Sequence, residues 1–197
     1  MYGLPRGGVR VAFEVARALD APLEVIVARK LGAPQQPELA IGAIAGEATV
    51  LRDDVIGMLG ISGDQIGRIA AREHARAEEL EQRLRHGRPA AEVRGRVAIL
   101  VDDGLATGAT ATAAARALRA RGPARIVLAV PVAPPESVAD LSREVDEVVA
   151  VLTPQDFHAV GLWYEEFPQL GDDEVEAMLD ERAAARGTHD QPAGRER

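Results

Sequence analysis

The fold is decided by the stretch Val97-Ala98-Ile99-Leu100-Val101-Asp102-Asp103-Gly104-Leu105-Ala106-Thr107-Gly108-Ala109-Thr110-Ala111-Thr112. Five apolar residues run without a polar break into two adjacent acids. This pattern is typical of a strand that is buried on both faces and reaches the surface only at its C-terminal end. The Ala-rich segment that follows ends at Gly122-Pro123, which predicts a helix with a stop signal. The sequence therefore predicts a strand, a tight loop and a helix, with two carboxylates at the edge of a sheet.

The loop between this strand and helix is predicted to bind phosphate. Its backbone N–H groups and the positive end of the helix favour an anion, and Thr107 and Thr110 add hydroxyl donors. Asp102 and Asp103 would repel a bare phosphate, so the ligand also needs a polyol part or a divalent metal ion. Ribose 5-phosphate has such a polyol part. The alternative, two solvated acids before an ordinary α/β turn, explains the charges but not the ordered Asp-Asp-x-x-x-Thr-Gly-x-Thr.

Residues 101–113 closely resemble the motif with which type I phosphoribosyltransferases bind 5-phosphoribosyl 1-pyrophosphate (PRPP). The resemblance implies that Asp102 and Asp103 take the ribose 2′- and 3′-hydroxyls and that the loop takes the 5′-phosphate. It also implies Mg²⁺ as cofactor, which the two acids would reach indirectly through the ligand. The further loop residues implied in PRPP binding are Gly104, Ala106, Thr107, Gly108, Ala109 and Thr110.

Length and composition set the class of protein. The 197 residues are enough for one α/β domain, expected over 1–186, and the polar tail 187–197 is expected to be disordered. Cysteine is absent, no apolar stretch has the length of a membrane span, and no signal-peptide pattern opens the chain, so the cytoplasm is the expected location. The formal charge of −8 argues against nucleic acid as a partner.

A Gly-rich turn, Pro5-Arg6-Gly7-Gly8, precedes the first predicted helix. Only about four residues remain for the strand before it, fewer than the usual five or six, which suggests a natural start further upstream. In the resembling family this turn holds the pyrophosphate of PRPP, which implies that role for Arg6, Gly7 and Gly8. The family often has a cis peptide there, and the matching bond is Pro5–Arg6. The alternative is a plain turn with a solvated arginine.

The next apolar run, 23–28, predicts a second parallel strand that ends at Arg29-Lys30. Ligands bind at the carboxyl ends of parallel strands, so Lys30 is expected to meet Arg6 and the two acids in one crevice. The Arg29-Lys30 pair also resembles that of orotate and adenine phosphoribosyltransferases. This implies that both residues bind PRPP and that Lys30 acts in catalysis on the pyrophosphate. A solvated lysine at a strand end is the alternative.

The remaining segments predict an alternation of strands and helices. Residues 33–54 predict a loop and a hairpin, which the family resemblance implies to be the mobile element that closes over the reacting centre. A capping box at Ser62-Gly63-Asp64-Gln65 starts a helix that reaches about Arg85, and its charged outer face is expected to be solvated or a dimer surface. Together the elements predict an α/β fold with a doubly wound parallel sheet of about five strands.

Four of the six aromatic residues fall in a short segment after the last strand. This segment opens the region 153–186, expected to form a small hood with a C-terminal helix. Aromatic side chains provide a stacking surface for a planar base, and 156–161 resembles the base-stacking segment of purine phosphoribosyltransferases. The alternative is a small hydrophobic core under the C-terminal helix. The base-stacking candidates are Phe157, Trp163 and Tyr164.

The resemblance implies transfer of the 5-phosphoribosyl group from PRPP to a nucleobase-like acceptor with release of pyrophosphate. Ala106 stands where 6-oxopurine enzymes carry an Asp that handles the proton of the base, so hypoxanthine and guanine are disfavoured as acceptors. The chain is most similar to poorly characterised predicted phosphoribosyltransferases, whose acceptor the motif does not name. The alternative function is a non-catalytic protein that senses PRPP or a nucleotide. We expect a homodimer, with PRPP and a small acceptor as ligands and no membrane partner.

Overall fold

The computed structural model describes residues 1–187, in which two sheets are flanked by helices. The strands are β1 (Tyr2–Gly3), β2 (Glu24–Val25), β3 (Ala28–Ala33), β4 (Gln36–Ala45), β5 (Ala48–Leu51), β6 (Val97–Val101), β7 (Arg125–Val132) and β8 (Glu147–Leu152). The helices are α1 (Gly7–Ala18), α2 (Asp53–Leu59), α3 (Gly63–Arg85), α4 (Ala109–Ala120), α5 (Pro135–Leu141) and α6 (Asp172–Gly187), with one turn of 3₁₀ helix at Val160–Trp163.

The larger sheet is parallel, has five strands in the order β2-β1-β6-β7-β8, and confirms the predicted doubly wound α/β fold. The side chains of β6 alternate between its two faces. Leu100 packs in the cluster that contains α4 and α5, whereas Val101 packs with Ala12 and Ala16 of α1 on the opposite face. The apolar run of β6 is therefore continuous because helices cover both faces of the sheet.

Helix α4 is rich in alanine because it is packed between the two sheets. It contacts β6 and β7 of the parallel sheet and also β3, β4 and β5 of the smaller sheet. Small side chains allow such close approach on several sides of one helix. Its buried residues are Ala111, Ala113, Ala114, Ala115, Ala117 and Leu118.

The smaller sheet is antiparallel, has the order β3-β4-β5, and corrects one prediction. The expected parallel strand over 23–28 pairs with β1 only at Glu24–Val25, with further backbone hydrogen bonds from Glu24 N to Met1 O and from Ile26 N to Gly3 O. Strand β1 offers only two residues for pairing, so the chain leaves the parallel sheet and enters β3. Arg29 and Lys30 consequently lie inside an antiparallel strand instead of at the end of a parallel one.

The predicted hairpin within 33–54 is present as β4 and β5. Strand β4 is buried along Ile41–Ala45 because α4 covers one side of the small sheet and α2 and α3 cover the other. Helix α3 starts at the predicted capping box, in which Ser62 and Gln65 each bond the backbone of the other.

Helix α6 closes the structure on the side of α1 and α3. Val175 and Leu179 pack with Val9 of α1 and Leu84 of α3 in one buried cluster. Gly187, placed in the tail by the sequence, is the last residue of α6, and the predicted disorder of 188–197 lies outside the described residues. No helix within 1–187 is long and apolar enough to cross a membrane.

Candidate functional site

The centre of the site is the point where β6 ends at the two acids. The turn before α1 approaches them so closely that a Cβ on Gly8 would lie 2.8 Å from Asp102 Cα and 2.8 Å from Val101 O. A Cβ on Gly7 would overlap the Asp103 carboxylate. Two glycines in this turn are therefore required by the backbone approach, and the Pro5–Arg6 bond before them is cis, as the resemblance led us to expect.

Asp102 and Asp103 form a carboxylate pair without a counter-ion. Neither makes an ion pair within residues 1–187, and the Asp102 carboxylate accepts one hydrogen bond, from Asp103 N at 2.9 Å. Burial raises the pKa of Asp102 well above its ordinary value, and the adjacent charge of Asp103 raises it further. Burial also raises the pKa of Asp103. The pair is suited to a ligand that donates hydroxyl hydrogens or carries a cation, because either would stabilise the ionised carboxylates.

Tyr164 fixes the backbone of this acid pair. Its hydroxyl donates a hydrogen bond to Asp103 O at 2.5 Å. Burial and the nearby charges of Asp103 and Asp102 raise the pKa of Tyr164 to about 12, so the phenol keeps its proton at neutral pH. Behind the acids, a Cβ on Gly104 would lie 2.6 Å from Val160 Cγ1, so the segment that carries Tyr164 packs directly on the loop.

The loop from Ala106 to Thr110 leads into the N-terminus of α4, as predicted. Gly108 is the residue before the helix and has φ of 72°, a conformation that favours glycine. Ser137 Oγ donates a hydrogen bond to Ala106 O at 2.6 Å and so anchors the loop to α5. Ala106 and Thr107 are exposed, and the first N–H groups of a helix have no intrahelical partner. The loop can therefore present backbone donors to an anion.

A cavity of about 690 Å³ opens beside Asp103. It is bounded by the Gly-rich turn, the start of α1, β3 and the segment after the 3₁₀ helix. The volume lies within the range of small-molecule sites. The polar and aromatic lining residues used below are Arg6, Arg10, Arg29, Asp103, Tyr164 and Phe167.

Two of the three arginines that line this cavity in the described chain are engaged by carboxylates. Arg6 Nε lies 2.6 Å from Asp172 at the start of α6, and Arg29 Nη2 lies 3.1 Å from the buried Glu73 on α3. Arg10 makes no ion pair or hydrogen bond through its side chain in the part of the chain that the structure describes. The cavity thus brings together Arg6 and Asp103 of the predicted crevice with Arg29, which the resemblance implied in PRPP binding, and it adds Arg10.

Lys30 lies elsewhere. Its Nζ is 3.2 Å from a carboxylate oxygen of Glu38, and it lines a neighbouring cavity instead of the one that contains Arg6 and Asp103. The expected meeting of Lys30 with Arg6 and the acid pair is therefore wrong for this conformation. The physical reason is the early departure of the chain from the parallel sheet, which places Lys30 inside the antiparallel strand β3, opposite Ala43 of β4, instead of at the carboxyl edge of the parallel sheet. The role of Lys30 toward pyrophosphate stays a prediction.

The aromatic candidates separate into two groups. Tyr164 lines the main cavity together with Phe167, and their ring centroids are 5.0 Å apart in a tilted arrangement. Phe157 is half-buried and Trp163 exposed, and neither is among the described residues that line the cavity. Phe167, which was not among the stacking candidates predicted from the sequence, thus joins Tyr164 as an aromatic side chain that lines the cavity.

Sequence reasoning missed Arg10, Glu73 and Asp172. Arg10 lies four residues after Arg6, in the first turn of the predicted helix, and this spacing places its side chain near Arg6 and could have identified it. Glu73 lies 44 residues from Arg29 and Asp172 lies 166 residues from Arg6, and nothing local in the sequence marks these two pairs.

The acid pair also fits the Mg²⁺ that the resemblance implies. Mg²⁺ prefers oxygen ligands, and proteins commonly hold it by one or two carboxylates together with water and substrate phosphates. Within residues 1–187 no cluster of three acidic, His or Cys side chains could enclose a metal ion. Asp102 and Asp103 would therefore share such an ion with a ligand.

Comparison with known proteins decides the family. The phosphoribosyl transferase domain family matches residues 2–162. The chain belongs to this family. Two curated proteins from Mycobacterium tuberculosis, strains H37Rv and CDC 1551, are each 49% identical to it over 181 residues. Their names are "Putative phosphoribosyl transferase Rv0571c" and "Putative phosphoribosyl transferase MT0597". The alignments cover 91% of this chain but only 41% of each relative.

A solved structure agrees with the fold. The crystal structure of TT1426 from Thermus thermophilus is 46% identical, covers 91% of this chain and 86% of its own, and superposes with a TM-score of 0.75. The parallel sheet with helices on both faces is thus the type I phosphoribosyltransferase fold, as the motif at residues 101–113 led us to expect.

Proposed function

We propose that this phosphoribosyl transferase domain binds PRPP and transfers its 5-phosphoribosyl group to a nucleobase-like acceptor. The observation that carries the proposal is the carboxylate pair Asp102 and Asp103. It has no counter-ion within the described chain, and it lies between the loop from Ala106 to Thr110 and a cavity lined by three arginines. A sugar with a phosphate at one end and a pyrophosphate at the other matches this order of charges.

Each part of the site has a proposed role. The carboxylates accept hydrogen bonds from the ribose 2′- and 3′-hydroxyls, and the loop from Ala106 to Thr110 donates backbone N–H groups to the 5′-phosphate. Arg6, Arg10 and Arg29 face the pyrophosphate. When bound, Mg²⁺ would neutralise part of the pyrophosphate charge.

The reaction requires positioning and charge stabilisation. The bond from ribose C1 to the pyrophosphate oxygen breaks, and pyrophosphate leaves with the bonding pair. A new bond forms from C1 to a nitrogen of the acceptor, which then loses its proton. Because C1 becomes cation-like as the bond breaks, the nearby carboxylates of Asp102 and Asp103 stabilise it, and the arginines stabilise the leaving group. Tyr164 and Phe167 offer a planar contact to the acceptor.

The test is release of pyrophosphate from PRPP in the presence of Mg²⁺ and a panel of nucleobases. We expect turnover with at least one base that is not hypoxanthine or guanine, because Ala106 can neither accept nor return a proton. The Arg10→Ala variant should lower turnover by about 10- to 150-fold, the equivalent of about 1.5–3 kcal/mol for one charge-assisted contact. The exposed Arg96, outside the cavity, provides the matched control Arg96→Ala, which should retain wild-type turnover.

The role of Lys30 is tested in the same assay. A tenfold or greater loss in Lys30→Ala, with unchanged affinity for ribose 5-phosphate, would support the catalytic role that the family resemblance implies. Unchanged turnover in Lys30→Ala would show that Lys30 has no catalytic role.

A PRPP-sensing protein is the second candidate, and one observation favours it. Arg6 and Arg29 are already bound to Asp172 and Glu73, so the cations expected to meet pyrophosphate are partly neutralised within the chain. Binding of PRPP without pyrophosphate release for any acceptor in the panel would establish this alternative over the transferase.

A further inference from the structure

A second cavity of about 590 Å³ lies between α3 and the connection of β3 to β4. Its volume is also within the range of ligand sites. Five cations and a single carboxylate are among its lining residues, although the chain as a whole has a formal charge of −8. These residues are Arg29, Lys30, Arg68, Arg72, Arg76 and Glu73.

Three of the cations form a stripe on α3. Arg68, Arg72 and Arg76 follow one another at intervals of four residues, and like charges at this spacing destabilise a helix. Their guanidinium groups are exposed, so the stripe is open to a ligand. Repulsion along the stripe would be relieved by an anion bound across it.

Glu73 organises this cluster. It is only 5% exposed, and its carboxylate accepts hydrogen bonds from Arg29 at 3.1 Å, Arg72 at 3.0 Å and Arg76 at 2.9 Å. Burial opposes the ionisation of Glu73, but the hydrogen bonds from Arg29 and Arg72 and the charges of Arg29 and Arg76 outweigh it and hold the pKa below its ordinary value. One negative charge thus holds three guanidinium groups in place and leaves them with a net positive charge.

Arg68 adds a further positive charge at the other end of the stripe. Its side chain makes no ion pair or hydrogen bond within residues 1–187. The axial distance from Arg68 to Arg76 is about 12 Å for eight residues of α-helix. A chain of linked phosphates matches such a spread better than a single phosphate does, and arginine binds phosphate oxygens through two parallel hydrogen bonds.

We propose that this second cavity binds an oligophosphate group, either inorganic or part of a nucleotide. The site is distinct from the main cavity because Arg68, Arg72 and Arg76 line only the second one. Arg29 lines both cavities, so an oligophosphate that contacts Arg29 would be coupled to ligand binding in the main cavity.

The experiment is calorimetric titration of the full chain with inorganic tripolyphosphate, with and without saturating ribose 5-phosphate. We expect the wild-type chain to bind tripolyphosphate both with and without ribose 5-phosphate. Arg68→Ala and Arg72→Ala should each weaken this binding at least tenfold. The matched control Arg96→Ala, an exposed arginine outside both cavities, should leave the affinity unchanged. Thermal unfolding of each variant establishes that it is folded.

Two results would overturn the proposal. One is equal tripolyphosphate affinity in all variants. The other is complete displacement of tripolyphosphate by ribose 5-phosphate, which would place both anions in the main cavity. If Arg68→Ala keeps its tripolyphosphate affinity but loses self-association, the proposal is also overturned. The stripe would then be an interface between copies of the chain.

A parallel titration with a nucleoside triphosphate distinguishes an inorganic oligophosphate from one that is part of a nucleotide. Tighter binding than tripolyphosphate would identify a nucleotide ligand, and equal binding would show that the phosphate chain alone is recognised. Neither titration measures transfer, so failure of the proposed transferase activity would not be mistaken for failure of this site.

Discussion

The carboxyl end of β6 and the surface between β3 and α3 are both charged, but they are built in opposite ways. At β6, Asp102 and Asp103 lie side by side without a counter-ion in the described chain, and burial raises the pKa of both. At α3, Glu73 is surrounded by arginines that lower its pKa. The first arrangement has no cation within the described chain to satisfy its carboxylates, whereas the second already satisfies its carboxylate and leaves excess positive charge. The two regions therefore suit different parts of phosphorylated ligands.

The largest expected effect on the free energy of unfolding comes from substitutions in the cores beneath the two regions. Leu100 of β6 and Leu31 of β3 are both fully buried, and replacement of a core leucine by alanine costs about 2–5 kcal/mol. Leu100→Ala should fall in the upper part of this range because it lies in the main core cluster. Leu31→Ala should fall in the lower part, because the smaller cluster beside α2 and α3 can relax more readily. Urea unfolding measures both, and a larger loss for Leu31→Ala would contradict the comparison.

A smaller effect on the free energy of unfolding is expected where the Gly-rich turn approaches the backbone at the end of β6. A methyl group at Gly8 would collide with the backbone of Val101 and Asp102, so Gly8→Ala should lower the free energy of unfolding by about 1–3 kcal/mol. Gly67 lies within α3 and has no heavy atom within 4 Å of an added Cβ. Gly67→Ala should therefore raise the free energy of unfolding by about 0.5–1 kcal/mol. Equal effects of the two substitutions in urea unfolding would show that the close approach at Gly8 is not required.

Local sequence predicted the region around β6 well. The apolar run, the two acids, the loop glycine and the alanine-rich helix all lie within 97–120, and each has a local signature. The capping box of α3 and the hairpin of β4 and β5 were predicted for the same reason. Conversely, the apolar run over 23–28 had the signature of one strand but is divided between two sheets. Which sheet a strand joins depends on the length of its partner β1, and the run itself carries no information about that length.

The candidate site divides in the same way. Asp102, Asp103 and the loop are neighbours in sequence and were predicted together. The partners of Arg6 and Arg29, which are Asp172 and Glu73, come from helices that pack against the cavity only after folding. Lys30 was misplaced relative to the cavity because its position followed from the incorrect strand.

The opposite pKa shifts predict opposite dependences of stability on pH. The pKa of Asp102 is raised on folding, so its ionisation costs stability as the pH rises above the unfolded value of 3.8. Asp102→Asn should consequently raise the free energy of unfolding at pH 7, and this gain should disappear below pH 3.8.

The pKa of Glu73 is lowered on folding, so its contribution is fully present above the unfolded value of 4.5 and is lost as the pH falls through the folded pKa. Glu73→Gln should lower the free energy of unfolding at pH 7 and have no effect in strong acid. Urea unfolding of both variants across this pH range tests the signs. Equal signs at pH 7 would contradict the difference between the two regions.

The most direct test of the central claim, that the edge at β6 binds a phosphoribosyl group, is the dissociation constant of PRPP measured by calorimetry with Mg²⁺ present. The double variant Asp102→Asn with Asp103→Asn should bind PRPP at least tenfold more weakly than the wild type, because each lost charge-assisted hydrogen bond is worth about 1.5–3 kcal/mol. The affinity for orthophosphate should not decrease, since phosphate binds at the loop and does not use the carboxylates. Equal losses for PRPP and orthophosphate, or no binding of PRPP by the wild type, would contradict the account.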